Sequence, residues 1–261
     1  VDQEVRFFAY VEAPEPEGVD VDVHLLSSLE PLALIERDDK AIYRVLPAGT
    51  YRLVLDTYAG MTGTYRLHVA VRQATPPASA LFNDWIVEAV DWLYANYGLL
   101  GYDSAALTHD IPYGATGLIE AMEPPRTMCV AAVMEVILIA MNLYAEGTGD
   151  ASVFGFLPES SWENLKPSSI RAHIWVNHDL DSSGTADALA HFGMGYVVPF
   201  EELTPGAFVN LNRTTGTGHA VVFLGFVTAD GVVHDVYPAA GEVVGFKYFS
   251  SQGGFAAGTG G

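Results

Sequence analysis

Cys129 is the only cysteine in the 261-residue chain and the side chain most able to form a covalent bond to a substrate. It stands in Pro124-Pro125-Arg126-Thr127-Met128-Cys129-Val130-Ala131-Ala132, where two prolines forbid helix upstream and Thr127 is a natural N-cap. Cys129 is then expected at the second position of the following helix, where unpaired amides and the helix dipole favour thiolate over thiol. The competing role is that of a small buried apolar residue. A thiolate nucleophile needs a base, and of eight histidines His219 has the most suitable surroundings. In Gly218-His219-Ala220-Val221-Val222-Phe223-Leu224-Gly225 it opens a strongly apolar strand after a glycine-rich loop. Its imidazole is expected at the sheet's end, facing the start of a helix packed there.

A third polar group should orient that imidazole at the nitrogen turned away from sulfur. In Gly245–Gln252, strand alternation puts Tyr248, Ser250 and Gln252 on one face, and Gln252 with Ser250 is the leading choice. The alternatives are His234 and Asp235, on opposite faces of the Val232–Val236 segment. Arg126 and Tyr248 are the candidate substrate-binding residues, and Arg126 is one of only five bases in the second half. Asp179, Asp181, Ser183 and Asp187 follow the first nine positions of an EF-hand-like calcium loop with glycine at the sixth. Ala190 stands where the bidentate glutamate belongs, so a polar turn capping a helix near Thr185 is the preferred reading, and no cofactor or metal is expected.

These residues need elements to hold them. The chain splits at Ala74-Thr75-Pro76-Pro77-Ala78-Ser79, which has linker composition, giving a domain over 1–74, a linker over 75–80 and a second domain over 81–261. The first half alternates apolar and polar residues at Val5–Val11, Asp20–Leu26, Tyr51–Asp56 and Tyr65–Val71, which predicts a small antiparallel sandwich. The second half predicts an amphipathic helix over Leu81–Tyr97, a buried helix over 128–145 and a short helix near Thr185–Phe192. Strands follow at Ala207–Leu211, His219–Val227, Val232–Val236 and Val243–Ser251. Helices followed by antiparallel strands make this half α+β. The buried helix approaches membrane-span length, but Glu135 near its middle would cost roughly 2.5–3.5 kcal/mol in a bilayer, so no membrane span is expected. Glu135 lies 240° around that helix from Cys129 and is expected to pair with Arg171 or Arg213. Trp85, Trp92, Trp162 and Trp175 are expected in the core.

The formal charge of −20 is uneven: 12 acids and 7 bases before the linker give −5, and 20 acids and 5 bases after it give −15. A surface this acidic repels phosphate backbones and makes nucleic acid an improbable partner. One cysteine excludes an internal disulfide and any multi-cysteine metal site. The chain opens Val1-Asp2-Gln3-Glu4, without the basic start and apolar run of a signal peptide, as a mature secreted or periplasmic chain would.

Two resemblances extend this reading. The segments Asp20–Ser27, Leu46–Tyr58 and Thr62–Val71 resemble the bacterial pre-peptidase C-terminal domain, a jelly-roll-like module appended to secreted hydrolases. That resemblance implies export and an accessory role for about 70 residues. Cys129 opening a buried helix, then Leu203-Thr204-Pro205-Gly206-Ala207-Phe208-Val209, then the His219 strand, resembles the papain-like cell-wall hydrolases of the NlpC and CHAP groups. In those families a Pro-Gly step leads into a strand and the next strand opens with the catalytic histidine. The match runs in order from Cys129 to the C-terminus and departs in the long insertion before Pro205. His234 stands near the place where NlpC-type enzymes carry a third histidine, three residues later than usual.

The resemblance implies a papain-like fold with a helix-borne cysteine on an antiparallel sheet. It also implies amide hydrolysis, led by peptidoglycan stem peptides, with Cys129 as nucleophile and His219 as base. The rival readings are a catalytically inactive extracellular binding module and a protein-directed cysteine peptidase or deamidase.

Overall fold

The computed structural model describes residues 1, 5–12, 21–27, 34–38, 41–57, 62–73, 81–97, 102–103, 106–122, 124–176, 180, 182–212, 214 and 218–251. The chain divides into two compact units, 1–77 with 91–96 and 78–90 with 97–261. The linker over 75–80 lies outside the described residues.

The first unit is two three-stranded antiparallel sheets. In one, β1 (Val5–Glu12) lies between β4 (Ala41–Leu46) and β6 (Arg66–Gln73); in the other, β2 (Val21–Leu26) lies between β3 (Leu34–Asp38) and β5 (Arg52–Thr57). Alternation on the two central strands drives this arrangement. Val5, Phe7, Ala9 and Val11 on β1 and Val21, Val23 and Leu25 on β2 turn inward, and with Leu46 they form one buried cluster. Leu53 and Leu55 of β5 and Tyr51 just before it pack against its edge.

The second unit is α+β. Helix α1 (Phe82–Tyr97), of which residues 82–90 and 97 belong to this unit, precedes a small hairpin, β7 (Ile111–Tyr113) and β8 (Gly117–Ile119). Helix α2 (Cys129–Thr148) follows and is buried on nearly every side, from Ala131 to Met141. It is long and apolar enough to cross a membrane by length and composition, yet within this unit it packs against β7 and against later segments at Ile170–Ile174, Thr185–His191 and Gly218–Thr228. The segment after α2 is not irregular. It carries a 3-10 turn (Ala151–Gly155) and three short helices, α3 (Ser160–Glu163), α4 (Ile170–Ile174) and α5 (Thr185–His191).

One bond network pins this segment. The fully buried Trp162 donates its indole N–H to the Tyr113 hydroxyl at 3.1 Å, and that hydroxyl donates to the Leu157 carbonyl at 2.6 Å. Each buried polar group therefore has a partner. Trp85 lies against Gly147, edge-on to Tyr144 at 5.8 Å, so α1 covers the end of α2. Both Trp85 and Trp162 are core residues, as their type suggests.

The sheet of this unit is built on β10 (Gly218–Thr228). β12 (Val243–Phe249) pairs along one edge, while β9 (Phe208–Asn212) and the short β11 (Val233–His234) share the other. β10 is buried almost throughout, which fits its unbroken apolar run and its place at the centre. Before β9, Gly206 adopts a φ of +87° and donates its N–H to the Phe223 carbonyl at 2.8 Å.

Candidate active site

The cysteine stands close to where the sequence suggests. Met128, extended at φ −147° and ψ 175°, is the N-cap, and Cys129 is the first helical residue, one position earlier than expected. Thr127 is not the cap. Its hydroxyl is drawn instead to Glu135 Oε2, at 3.4 Å, on the second turn of the same helix. Cys129 is 6% exposed.

A residue that the sequence did not flag sits on the thiol. Tyr102 forms an isolated parallel bridge with Thr127, closed by the Asp103 N–H on the Thr127 carbonyl at 3.0 Å. Its hydroxyl lies beside the Cys129 sulfur and the Cys129 amide, close enough for both to act on its titration. Burial pushes that hydroxyl above the usual tyrosine range, and the nearby sulfur pushes it the same way. The Cys129 amide pulls it back down. A phenol oxygen therefore lies beside one of the unpaired amides of the helix start. Tyr102 stands in a stretch with no periodicity, so only its residue type hinted at it.

Arg126, expected to be open to a substrate carboxylate, lies 3.9 Å from the Asp103 carboxylate, with both side chains partly exposed. The pair brackets the Tyr102–Thr127 bridge.

His219 is the second residue of β10, opposite Leu211, and 9% exposed. The Tyr248 ring meets it edge-on, with centroids 6.1 Å apart, and Tyr248 is itself 37% exposed. α2 packs on the strand that carries His219. Of the residues expected to orient the imidazole, Ser250 is buried and donates its hydroxyl to the Ala220 carbonyl at 2.7 Å, so that proton is not offered to a ring nitrogen. Gln252 lies outside the described residues. His234 and Asp235 are too far away. His234 pairs with Phe226, seven residues along β10 from His219, roughly 23 Å at ~3.3 Å per residue. His234 instead shares the Thr228 hydroxyl at 3.2 Å, beside Asp230.

The calcium-like loop is a helix start in its described part. Gly184, at φ +120°, is the N-cap of α5. The Asn210 side chain on β9 accepts the Ala186 N–H at 3.2 Å and donates to Asp187 at 3.2 Å, and Ser183 also bonds Asp187. Asp179 and Asp181 lie outside the described residues. Among the described residues no group of three metal-ligating side chains is found.

Glu135 is fully buried, and among the described residues no arginine pairs with it. Arg171 turns elsewhere, its guanidinium 4.8 Å from the Trp175 ring and bonded to the Glu163 carbonyl at 3.3 Å. Arg213 lies outside the described residues. Glu135 Oε1 accepts the N–H and, at 2.9 Å, the hydroxyl of Thr108, and the carboxyl also takes a backbone bond from His109. Burial outweighs these bonds and pushes the carboxyl up to about 8 from an ordinary 4.5.

That shift has a consequence for stability. Between pH 4.5 and about 8 the native chain holds a proton that the unfolded chain has released. Stability from this group is complete below 4.5, falls as pH rises and levels off above about 8. Urea melts at about pH 5.5 and about pH 7.5 should therefore show the wild type losing more stability than Glu135→Gln, by on the order of a few kcal/mol. Equal losses would contradict the burial account.

Comparisons with known protein families, with curated proteins and with solved structures find no match to this chain.

Proposed function

We propose that this chain is an exported cysteine hydrolase with a papain-like second unit, cleaving an amide bond in peptidoglycan stem peptides. Cys129 is its nucleophile and His219 its base. The observation that carries the proposal is the polar group beside the thiol. A cysteine that merely fills space needs no polar partner, whereas Cys129 heads a helix and has the Tyr102 hydroxyl beside its sulfur and its amide.

In the reaction, His219 takes the thiol proton and the thiolate adds to the amide carbonyl, giving a tetrahedral oxyanion. That intermediate collapses to a thioester as the protonated imidazole delivers its proton to the departing amine. A water deprotonated by His219 then releases the carboxylic acid and restores the thiol. The Cys129 amide is one donor to the oxyanion, and the Tyr102 hydroxyl is the second once the substrate oxygen displaces it from that amide. The first unit acts as an accessory module of the pre-peptidase C-terminal type. With −15 on the catalytic half, turnover on an anionic wall polymer should rise with moderate salt, which screens the repulsion.

Incubating the protein with purified peptidoglycan and, separately, with casein, followed by mass spectrometry, tests the substrate. New amine and carboxyl ends in the stem peptides support the reading; cleavage of casein alone transfers it to a protein-directed peptidase, and no cleavage of either overturns it. Tyr102→Phe should lower kcat about 10²-fold and leave KM within a few-fold, because the phenol acts on the oxyanion rather than on the bound substrate. An unchanged kcat would remove Tyr102 from the mechanism.

A further inference from the structure

We infer that Glu135 is a positioning residue for Cys129: its buried carboxyl ties together the two chain segments that bring the Tyr102 hydroxyl to the thiol. This inference rests on the cysteine-hydrolase reading for its significance, though its test does not.

Among the described residues, the Tyr102 segment meets the start of α2 through one parallel bridge, to Thr127, and the partly exposed Arg126–Asp103 pair beside it. One bridge holds two segments only weakly. Glu135 supplies a buried tie. From the Tyr102 side it receives the Thr108 N–H and hydroxyl and a His109 backbone bond; from the Cys129 side it meets the Thr127 hydroxyl. Glu135 lies six residues beyond Cys129, roughly 9 Å up the helix and 240° around it, so it acts through Thr127 rather than on the sulfur directly. Its neighbours on α2, Met134 and Val136, are fully buried and apolar, so a leucine there would avoid the desolvation that a carboxyl suffers.

The two oxygens are not equivalent. Oε1 takes both Thr108 donors, while Oε2 has the Thr127 hydroxyl at 3.4 Å. A neutral carboxyl therefore carries its proton on Oε2 and donates to Thr127, and an ionised one accepts from Thr127. Ionisation reverses the hydrogen bond of the residue two positions before the nucleophile. The titratable groups around this carboxyl, among the described residues, are Tyr97 of α1 and His109. His109 stacks on Tyr97 with centroids 5.0 Å apart and meets the Thr108 hydroxyl through Nδ1 at 2.7 Å, with Asp110 beside it.

Because the chain holds one cysteine, iodoacetamide labelling of the folded protein reads Cys129 alone. Its rate should be followed from about pH 5 to about pH 10 in the wild type, Glu135→Gln, Glu135→Leu and Thr127→Val, with melting curves alongside. The wild type should show two inflections, the thiol's own and a second that Glu135→Gln lacks. Glu135→Leu should change the rate roughly ten-fold by loosening the Tyr102 contact, and Thr127→Val should reproduce that change if the leucine variant does not fold. A single inflection in the wild type, or wild-type rates in a folded Leu or Val variant, would overturn the inference. Failure of the wild type to hydrolyse peptidoglycan would sink the functional reading and leave this labelling result standing.

Discussion

Replacing Cys129 by alanine should lower peptidoglycan hydrolysis by roughly 10³-fold or more while the protein still melts cooperatively. The chain has no second thiol to take over, and the mechanism passes through a thioester that alanine cannot form. The structural cost is small, because the change deletes one sulfur atom at a helix start and leaves the backbone free to keep its caps. Losing that buried atom should cost about 1–2 kcal/mol. Cys129→Ser separates the roles further: it keeps the polar contact with Tyr102 but offers a far poorer nucleophile at neutral pH. Serine and alanine variants should therefore be similarly inactive, with serine the closer to wild type in stability. Turnover that survives in the alanine variant, after removal of contaminating hydrolases, would end the thiol mechanism whatever the geometry around Tyr102.

The elements that position this residue could be read from the sequence, and most of its partners could not. Periodicity marks α2, α1 and the strands β9, β10 and β12 within about three residues, because each buries a regular apolar pattern. α5 stands where a short helix is expected near Thr185, whereas the β7–β8 hairpin and the short helices α3 and α4 leave no such mark. They are too short to hold by local preference and depend on contacts such as Trp162 with Tyr113. Side-chain partners fail for a related reason. Charge suggests Arg171 or Arg213 for Glu135; Arg171 turns to Trp175, and the partners among the described residues include Thr108 and Thr127, ordinary residues from stretches without periodicity. Asn210 caps α5 from a neighbouring strand, a role that no spacing in the sequence encodes. His234 shows the opposite error: three residues of displacement look minor in the sequence, but pairing to Phe226 carries it to the far end of β10.

Gly206→Ala should destabilise the second unit by about 3 kcal/mol or more, a drop of roughly 6–12 °C in Tm for a unit of this size. Two costs coincide. At a φ of +87° any side chain strains the backbone, which accounts for about 1 kcal/mol. The added Cβ would also collide with the Asn83 carbonyl oxygen and lie 2.9 Å from the Asn83 carbonyl carbon and Cα. Those are backbone atoms in the first turns of α1, so no side chain can swing aside. Relief requires either α1 to move away or the turn before β9 to open. The first breaks the Asn83 bond to Thr204 at 3.1 Å; the second breaks the paired bonds in which Gly206 donates to Phe223 and Phe223 donates to Ala207. The control is Gly231→Ala. Gly231 has a similar φ of +81° in an open turn, where a Cβ meets nothing within 4 Å, so only the backbone strain should register. Equal losses in the two variants would mean that α1 does not crowd the Pro205-Gly206 step. A loss several-fold larger at Gly206 would show that the glycine is needed there for close approach, which is what lets the turn lie under α1 and lead into the strand beside His219.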